Sequence, residues 1–369
     1  MIRTAFLLAL VVSFLNIGCS TTKPSSTSND ILPATALKPF GRTRIDAAQN
    51  LELITSAAHV GFRFEGAQCV VFASASYAGG HNYLQFEIDG TYGGRVKVTG
   101  DTARPITIAA TGNGPHTVWI YKATEAHTGA LKIHRVEGSG LVALQRPQAP
   151  LIEFIGNSIT CGAAADPSLV PCGTGQYHDQ HNAYLAYGPR VSRALGTNYV
   201  LSSVSGIGIY RTWNKTGPTM PQVYEKVDFQ PANPERWDFS RYTPQIVSIA
   251  LGTNDLSRGD GVNPRTPFDS ATFVTGYIGF VQQVKSKYPA AQIALLSSPM
   301  ANGTDRILLQ NCLTAIKGAI DAAYPQAKPV ALHFFKPMQA RGCTGHPNVE
   351  DHAILAAELE PFFKGLLGR

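Results

Sequence analysis

The chain has 369 residues, 44% of them hydrophobic and 15% charged. That apolar share excludes an intrinsically disordered chain, and the length exceeds one ordinary core, so two domains are expected. The net charge of +6 comes from scattered Lys and Arg; no basic run is interleaved with aromatics, which argues against a nucleic-acid partner.

The first residues read as an export signal. Met1 to Arg3 is a short basic start, and residues 4–17 form an apolar run too short to span a bilayer unaided. The segment 1–19 ends in Gly18 and Cys19, like a bacterial lipoprotein signal, which would place a lipid anchor on Cys19. Asn16 stands where such signals usually carry Leu, so simple secretion is the other reading. Residues 20–38 follow as a polar linker, Ser/Thr-rich at its start. Export permits disulfides. Without Cys19 the cysteines are Cys69, Cys161, Cys172, Cys312 and Cys343. Cys161 and Cys172 close a short loop and are the expected pair, with Cys312–Cys343 as a second candidate. The odd number leaves at least one thiol unpaired within the chain. The spacings do not resemble a zinc site, and no metal or organic cofactor is expected.

Residues 39–147 read as all-β. Short runs such as 61–65, 69–73, 83–88, 106–109, 117–121 and 130–134 alternate apolar and polar side chains between Gly and Asn punctuation. Several such strands at close spacing indicate a sandwich. The Pro147 to Pro150 stretch marks a boundary, and the pattern then changes over 148–369. Strands are expected at 151–155, 199–203, 246–251, 292–296 and 330–334. Helices are expected at 183–195, 270–287, 306–323 and 348–363. This alternation predicts a doubly wound parallel α/β sheet, whose ligand sites form beyond the C-terminal ends of the strands.

The chemistry-bearing residues fall in those loops. The first strand runs into Gly156, Asn157, Ser158, Ile159 and Thr160. A small polar turn after a buried strand exposes Ser158, as a nucleophile requires, although a serine there is also an ordinary helix cap. No Gly-x-Ser-x-Gly elbow is present. The second strand leads to Gly206, whose backbone N–H can approach a ligand. The third leads to Gly252, Thr253, Asn254 and Asp255, where the Asn254 amide suits an oxyanion and Asp255 suits bracing the loop. His346 and Pro347 precede the last helix, placing an imidazole where it can serve as a base. Tyr210, Arg211 and Trp213 follow Gly206 as candidate sugar contacts. For Trp213, stacking on a sugar and packing in the core are both open.

These blocks, in this order, resemble the SGNH hydrolase superfamily over residues 151–366. Gly41, Arg42 and Thr43, the 62–66 run, Cys69 and the 206–211 run resemble carbohydrate esterase family 2. The resemblance implies an all-β jelly-roll sandwich ahead of an SGNH-hydrolase-like sheet. It also implies removal of acetyl groups from acetylated plant cell-wall polysaccharide such as xylan or glucomannan. In its terms Ser158 is the nucleophile and His346 the general base. Ser158 N–H, Gly206 N–H and the Asn254 side chain form the oxyanion hole. One departure stands out. Many relatives carry Asp two residues before the catalytic His, and here that residue is Thr344. A dyad with a backbone carbonyl orienting His346 is the preferred expectation. Recruitment of another acid is the alternative; Glu350 and Asp351 are near in sequence but begin the final helix, where they favour its dipole.

Overall fold

The computed structural model describes Met1 and residues 30–369 apart from 77–79 and 215. The expected signal segment and the Cys19 anchor lie outside the described residues.

The first half is built from β1 (Asp30–Pro33), β2 (Thr43–Ile45), β3 (Leu51–Leu53), β4 (His59–Ala75), β5 (His81–Ile88), β6 (Thr91–Thr99), β7 (Arg104–Ala109), β8 (Pro115–Lys122) and β9 (Leu131–Leu144). Neighbouring strands run β2-β3-β9-β4-β8-β5-β6, with β1 on β9 and β7 on β4. β4 organises the sandwich. Its first part pairs with β8, its second part with β7, and both parts pair with β9. Val60, Phe62 and Phe64, then Cys69 and Val71, point inward to meet Leu84, Val98, Ile108, Val118, Ile120 and Ile133. The sequence reads β4 as two strands, 61–65 and 69–73. The structure joins them through a register shift between Glu65 and Val70, where Gly66 takes φ +105°. Asp30–Pro33, inside the stretch expected as linker, is also a strand, paired with Arg135–Gly138.

The second half runs β10 (Leu151–Gly156), α1 (Ser158–Cys161), α2 (Tyr187–Ala194), β11 (Asn198–Ser203), α3 (Met220–Val223), β12 (Ile246–Ala250), α4 (Thr253–Leu256), α5 (Ser270–Lys287), β13 (Gln292–Leu296), α6 (Gly303–Ala323), β14 (Ala331–His333) and α7 (Val349–Leu366). The strands are parallel in the order β11-β10-β12-β13-β14. Ile155, Val247, Ile249, Ile293 and Leu295 face a core shared with α5 and α6. Ile152, Phe154, Leu201, Ala294 and Leu296 face the opposite core, shared with α2 and α7. Layers on both faces explain why these strands read as continuous apolar runs. α2 starts at Tyr187 rather than near 183, because Pro189 is tolerated only in a first turn.

The two halves share their interior. Ala57, Trp119 and Tyr121 of the sandwich belong to the core of β10 and α7, and Ile54, Ala126 and Ala130 to that of α5 and α6. Arg42, fully buried, crosses the boundary. It donates to the carbonyls of Tyr224 (2.8 Å) and Lys226 (2.6 Å) and lies 4.2 Å from the Phe229 ring centre.

Candidate active site

Ser158 sits just past the end of β10, where the strand order reverses between β10 and β12. The turn is tight enough that a Cβ on Gly156 would lie 2.0 Å from Thr160 Oγ1, so the strand must end in glycine. Asn157 caps α1, its side-chain oxygen accepting the Ile159 N–H at 3.1 Å. This leaves Ser158 at the first helical position, 8% exposed.

His346 approaches from the loop before α7. Ser158 Oγ–H donates to His346 Nε2 at 2.9 Å. That geometry requires the proton on Nδ1, and Thr344 Oγ1 lies 3.1 Å from Nδ1 to accept it. Thr344 in turn donates its hydroxyl proton to the Cys343 carbonyl at 2.7 Å. Thr344 holds a left-handed backbone (φ 51°, ψ 31°) that turns the ring back onto Ser158. Burial lowers the His346 pKa, opposed by the Thr344 and Cys343 carbonyls and by the charge of Glu125. No carboxylate touches the ring among the described residues. Glu350 is exposed. Asp351 is buried and accepts from Arg341 N (2.8 Å), Arg341 Nε (2.7 Å) and Asn348 N (3.1 Å). It therefore braces the loop that carries His346.

The remaining expected residues surround this pair unequally. Gly206 has φ 78°, and its carbonyl accepts the Trp213 N–H at 2.7 Å. Neither Ser158 N–H nor Gly206 N–H finds a backbone acceptor among the described residues. Asn254 is buried and donates one amide hydrogen to the Ile207 carbonyl at 2.8 Å, which leaves the other for a ligand. Trp213 is 42% exposed, so of its two readings the core one does not hold. Tyr210 and Arg211 differ from expectation as sugar contacts. The Tyr210 hydroxyl accepts the Asp269 N–H at 3.1 Å, and its ring stands against Phe268 and Phe273. Arg211 donates to the carbonyls of Asp255 (2.7 Å through Nε) and Thr266 (2.8 Å). Both side chains brace the loop because those carbonyls and the α5 cap offer nearer partners than the cleft does. Asp255 completes the brace by accepting the N–H groups of Ile209 and Tyr210 at 3.0 Å.

The disulfide corrects the expected pairing. Cys172 is joined to Cys343, while Cys69, Cys161 and Cys312 are free and buried. Cys161 is held inside α1, with its thiol on Ser203 Oγ at 3.2 Å, so it cannot reach Cys172. Cys312 lies on the inner face of α6.

Among the described residues, His81, His178 and Asp179 form a group with metal-ligand spacing, their ligand atoms within 4.8 Å of one another. Asp179 Oδ1 is already engaged by His81 Nε2 (2.5 Å) and Tyr83 OH (2.9 Å), with Lys97 Nζ at 3.9 Å. Arg95 donates to the Asp179 carbonyl at 2.8 Å. A carboxylate whose oxygens are already taken by Tyr83, His81 and the Gln176 N–H, with Lys97 alongside, suits a buried hydrogen-bonded bridge between β5 and the 177–180 turn, not a metal centre.

Known proteins place this arrangement. Residues 40–147 match the carbohydrate esterase 2 N-terminal family model, and residues 154–352 match the GDSL-like lipase/acylhydrolase family. The chain belongs to the GDSL-like lipase/acylhydrolase family, and its first half matches the carbohydrate esterase 2 N-terminal module. The chain is 30% identical over 327 residues to the cellulase/esterase CelE of Acetivibrio thermocellus. That match takes in 85% of this chain and spans only 37% of the relative's length. It is 24% identical over 367 residues, 98% of both chains, to an acetylxylan esterase / glucomannan deacetylase of Cellvibrio japonicus. A family two carbohydrate esterase from Clostridium thermocellum, solved with cellohexaose, superposes with a TM-score of 0.77 at 27% identity. That superposition covers 92% of this chain and 99% of that one.

Three residues of the site carry no signal in the sequence. Tyr177 places its hydroxyl 3.4 Å from His346 Nε2 and 3.4 Å from Ser205 Oγ. His181 stands edge-on to the Tyr177 ring, and Glu125 lies behind both. No spacing rule points to them, since each reaches the site from a loop with no periodicity. The disulfide is the one signal for Tyr177, because Cys172 brings its loop to Cys343.

Proposed function

We propose that the chain is an exported serine esterase that removes O-acetyl groups from acetylated xylan- or glucomannan-type polysaccharide through an acetyl-enzyme. The carrying observation is the 2.9 Å contact of Ser158 Oγ with His346 Nε2 at the switch point of the sheet. The substrate class is supported by the acetylxylan esterase / glucomannan deacetylase relative, and export by the Cys172–Cys343 disulfide and the signal-like first residues. A lipid anchor through Cys19 is part of the same reading.

His346 Nε2 takes the Ser158 proton as Oγ attacks the acetyl carbonyl. The developing oxyanion is held by the N–H groups of Ser158 and Gly206 and by the free amide hydrogen of Asn254. On collapse, the sugar oxygen leaves with the proton from His346. Water then gives its proton to His346 and attacks the acetyl carbon; acetate departs, and Ser158 Oγ recovers the proton. Thr344 holds the Nδ1 proton throughout and passes no charge to a carboxylate, so the pair works as a dyad. Trp213, exposed beside Gly206, offers its indole face to a sugar ring.

The test is acetate release from acetylated xylan and from acetylated glucomannan by wild type and Ser158→Ala. Wild type should release acetate, and the variant should lose at least roughly 10⁴-fold while keeping its fold. Equal rates in the two proteins would remove Ser158 from the reaction.

A further inference from the structure

We propose that Glu125, carried by the β-sandwich, is a positioning residue for the esterase site. Its carboxylate fixes the Ser205–Gly206 turn and so aims the Gly206 N–H at the oxyanion. The inference rests on the esterase reading given above.

Glu125 follows the end of β8 and is 4% exposed. A carboxylate there is costly unless its oxygens are bonded. Oε2 accepts the Ser205 N–H at 2.5 Å, across 80 residues of sequence, and lies 3.7 Å from the Cys161 thiol. Oε1 lies 3.4 Å from His181 Nε2. Burial pushes the Glu125 pKa up, but the hydrogen bonds from His181 and the Ser205 N–H outweigh it and hold the group below the ordinary carboxylate value. Both of its oxygens are thus engaged as acceptors.

The carboxylate extends from a rigid base. Lys122, fully buried, donates through Nζ to the carbonyls of Glu125 and Thr124 and to Thr128 Oγ1, fastening the short 3₁₀ turn Ala126–Thr128. From that base Glu125 reaches three parts of the site. Cys161 belongs to the helix of the nucleophile. Ser205 opens the oxyanion turn. His181, whose Nδ1 accepts the Ala164 N–H at 3.3 Å, supports the Tyr177 ring at 4.8 Å between centres.

The oxyanion turn is otherwise held from the far side. Trp213 N–H binds the Gly206 carbonyl and Asn254 binds the Ile207 carbonyl. On the near side, at the residue before Gly206, Glu125 holds the Ser205 backbone N–H, while the Tyr177 hydroxyl reaches only the Ser205 side chain. Without Glu125, the Ser205 N–H faces a buried site with no acceptor, and the turn gains by rotating toward another one. Such a rotation swings the Gly206 N–H away from the acetyl oxygen. Misplacement of this kind weakens the transition state and leaves sugar binding intact, because Trp213 and the cleft wall are unaffected.

The experiment compares wild type, Glu125→Ala and Glu125→Gln as full chains, with folding checked by circular dichroism. Two readouts are taken: kcat and KM for acetate release from acetylated xylan, and amide hydrogen exchange of the peptide 203–208. Glu125→Ala should lower kcat roughly 10- to 100-fold, less than the 10²- to 10³-fold cost of deleting a donor outright. KM should stay nearly constant, and exchange at 203–208 should accelerate. Glu125→Gln keeps an oxygen for the Ser205 N–H and should recover part of kcat and most of the protection. If the alanine variant does not fold, the glutamine variant is read against wild type in the same two assays, where an intermediate kcat and partly faster exchange are expected. A folded variant with wild-type kcat, or a slow one with unchanged exchange at 203–208, overturns the assignment. Absence of turnover in the wild type overturns the esterase reading and this role together, and is distinguished by that control.

Discussion

At the scale of single residues the site depends on how His346 keeps its proton on Nδ1 without a carboxylate. Thr344 Oγ1 accepts that proton and is itself tied to a backbone carbonyl. The neighbouring acids do other work: Asp351 holds Arg341 and caps α7, and Glu350 faces solvent. A neutral orienting group leaves burial as the dominant influence on the ring, which lowers its pKa from the ordinary 6.5. The base is the neutral imidazole. A lowered pKa means that it stays neutral to lower pH, and activity is lost only as pH falls through the lowered value. The acidic limb of the kcat/KM profile on a chromogenic acetate should therefore be centred below 6.5, with a flat neutral region. A limb at or above that value would show the imidazolium stabilised by an acid outside this arrangement.

Among the elements, the His346 loop and the 172–177 loop are joined by Cys172–Cys343 over a separation of 171 residues. The bridge ends next to Thr344, so it constrains the unfolded chain and also sets the position of the base. Replacing both cysteines with serine should cost about 2–4 kcal/mol of stability. It should also lower kcat at temperatures well below melting, measured by denaturant titration and acetate release. Loss of stability with full turnover would limit the bridge to a structural role. The same loops show where sequence reading ends. β10 to β14 and α5 to α7 are legible because their apolar spacing reports directly on burial in a layered sheet. Ser158, Gly206, Asn254 and His346 are legible because the sheet topology puts all strand ends on one edge. Cys343 pairs with a partner that short-loop reasoning does not reach, and Cys161, nearer in sequence to Cys172, is locked inside α1. β4 reads as two strands because a bulge interrupts its alternation while the backbone continues. Arg211 looks like a substrate ligand until its guanidinium is seen on the Asp255 and Thr266 carbonyls.

Across the whole molecule the sandwich acts as a wall of the hydrolase. Arg95 on β6 donates to the carbonyls of Asp166, Asp179 and His181, which fixes the segment bearing Tyr177. Arg42 does the same at the other side, lying 3.9 Å from the buried Glu153 of β10. Burial raises the Glu153 pKa, opposed by the Arg42 charge. Arg42→Ala should leave that carboxylate without its cation and empty the space against Phe229. The expected loss is about 3–5 kcal/mol in denaturant unfolding, far beyond the effect of Arg236→Ala, whose side chain is 74% exposed. A change of the same small size in both would place the Arg42 contact outside the stability of the fold. Arg42 also bears on ancestry. A catalytic half transferred by recombination at the proline-rich junction would arrive with a hollow aromatic socket and a stranded acid. Exchange of modules between genes is therefore expected to move the sandwich and the hydrolase together, as a single heritable block.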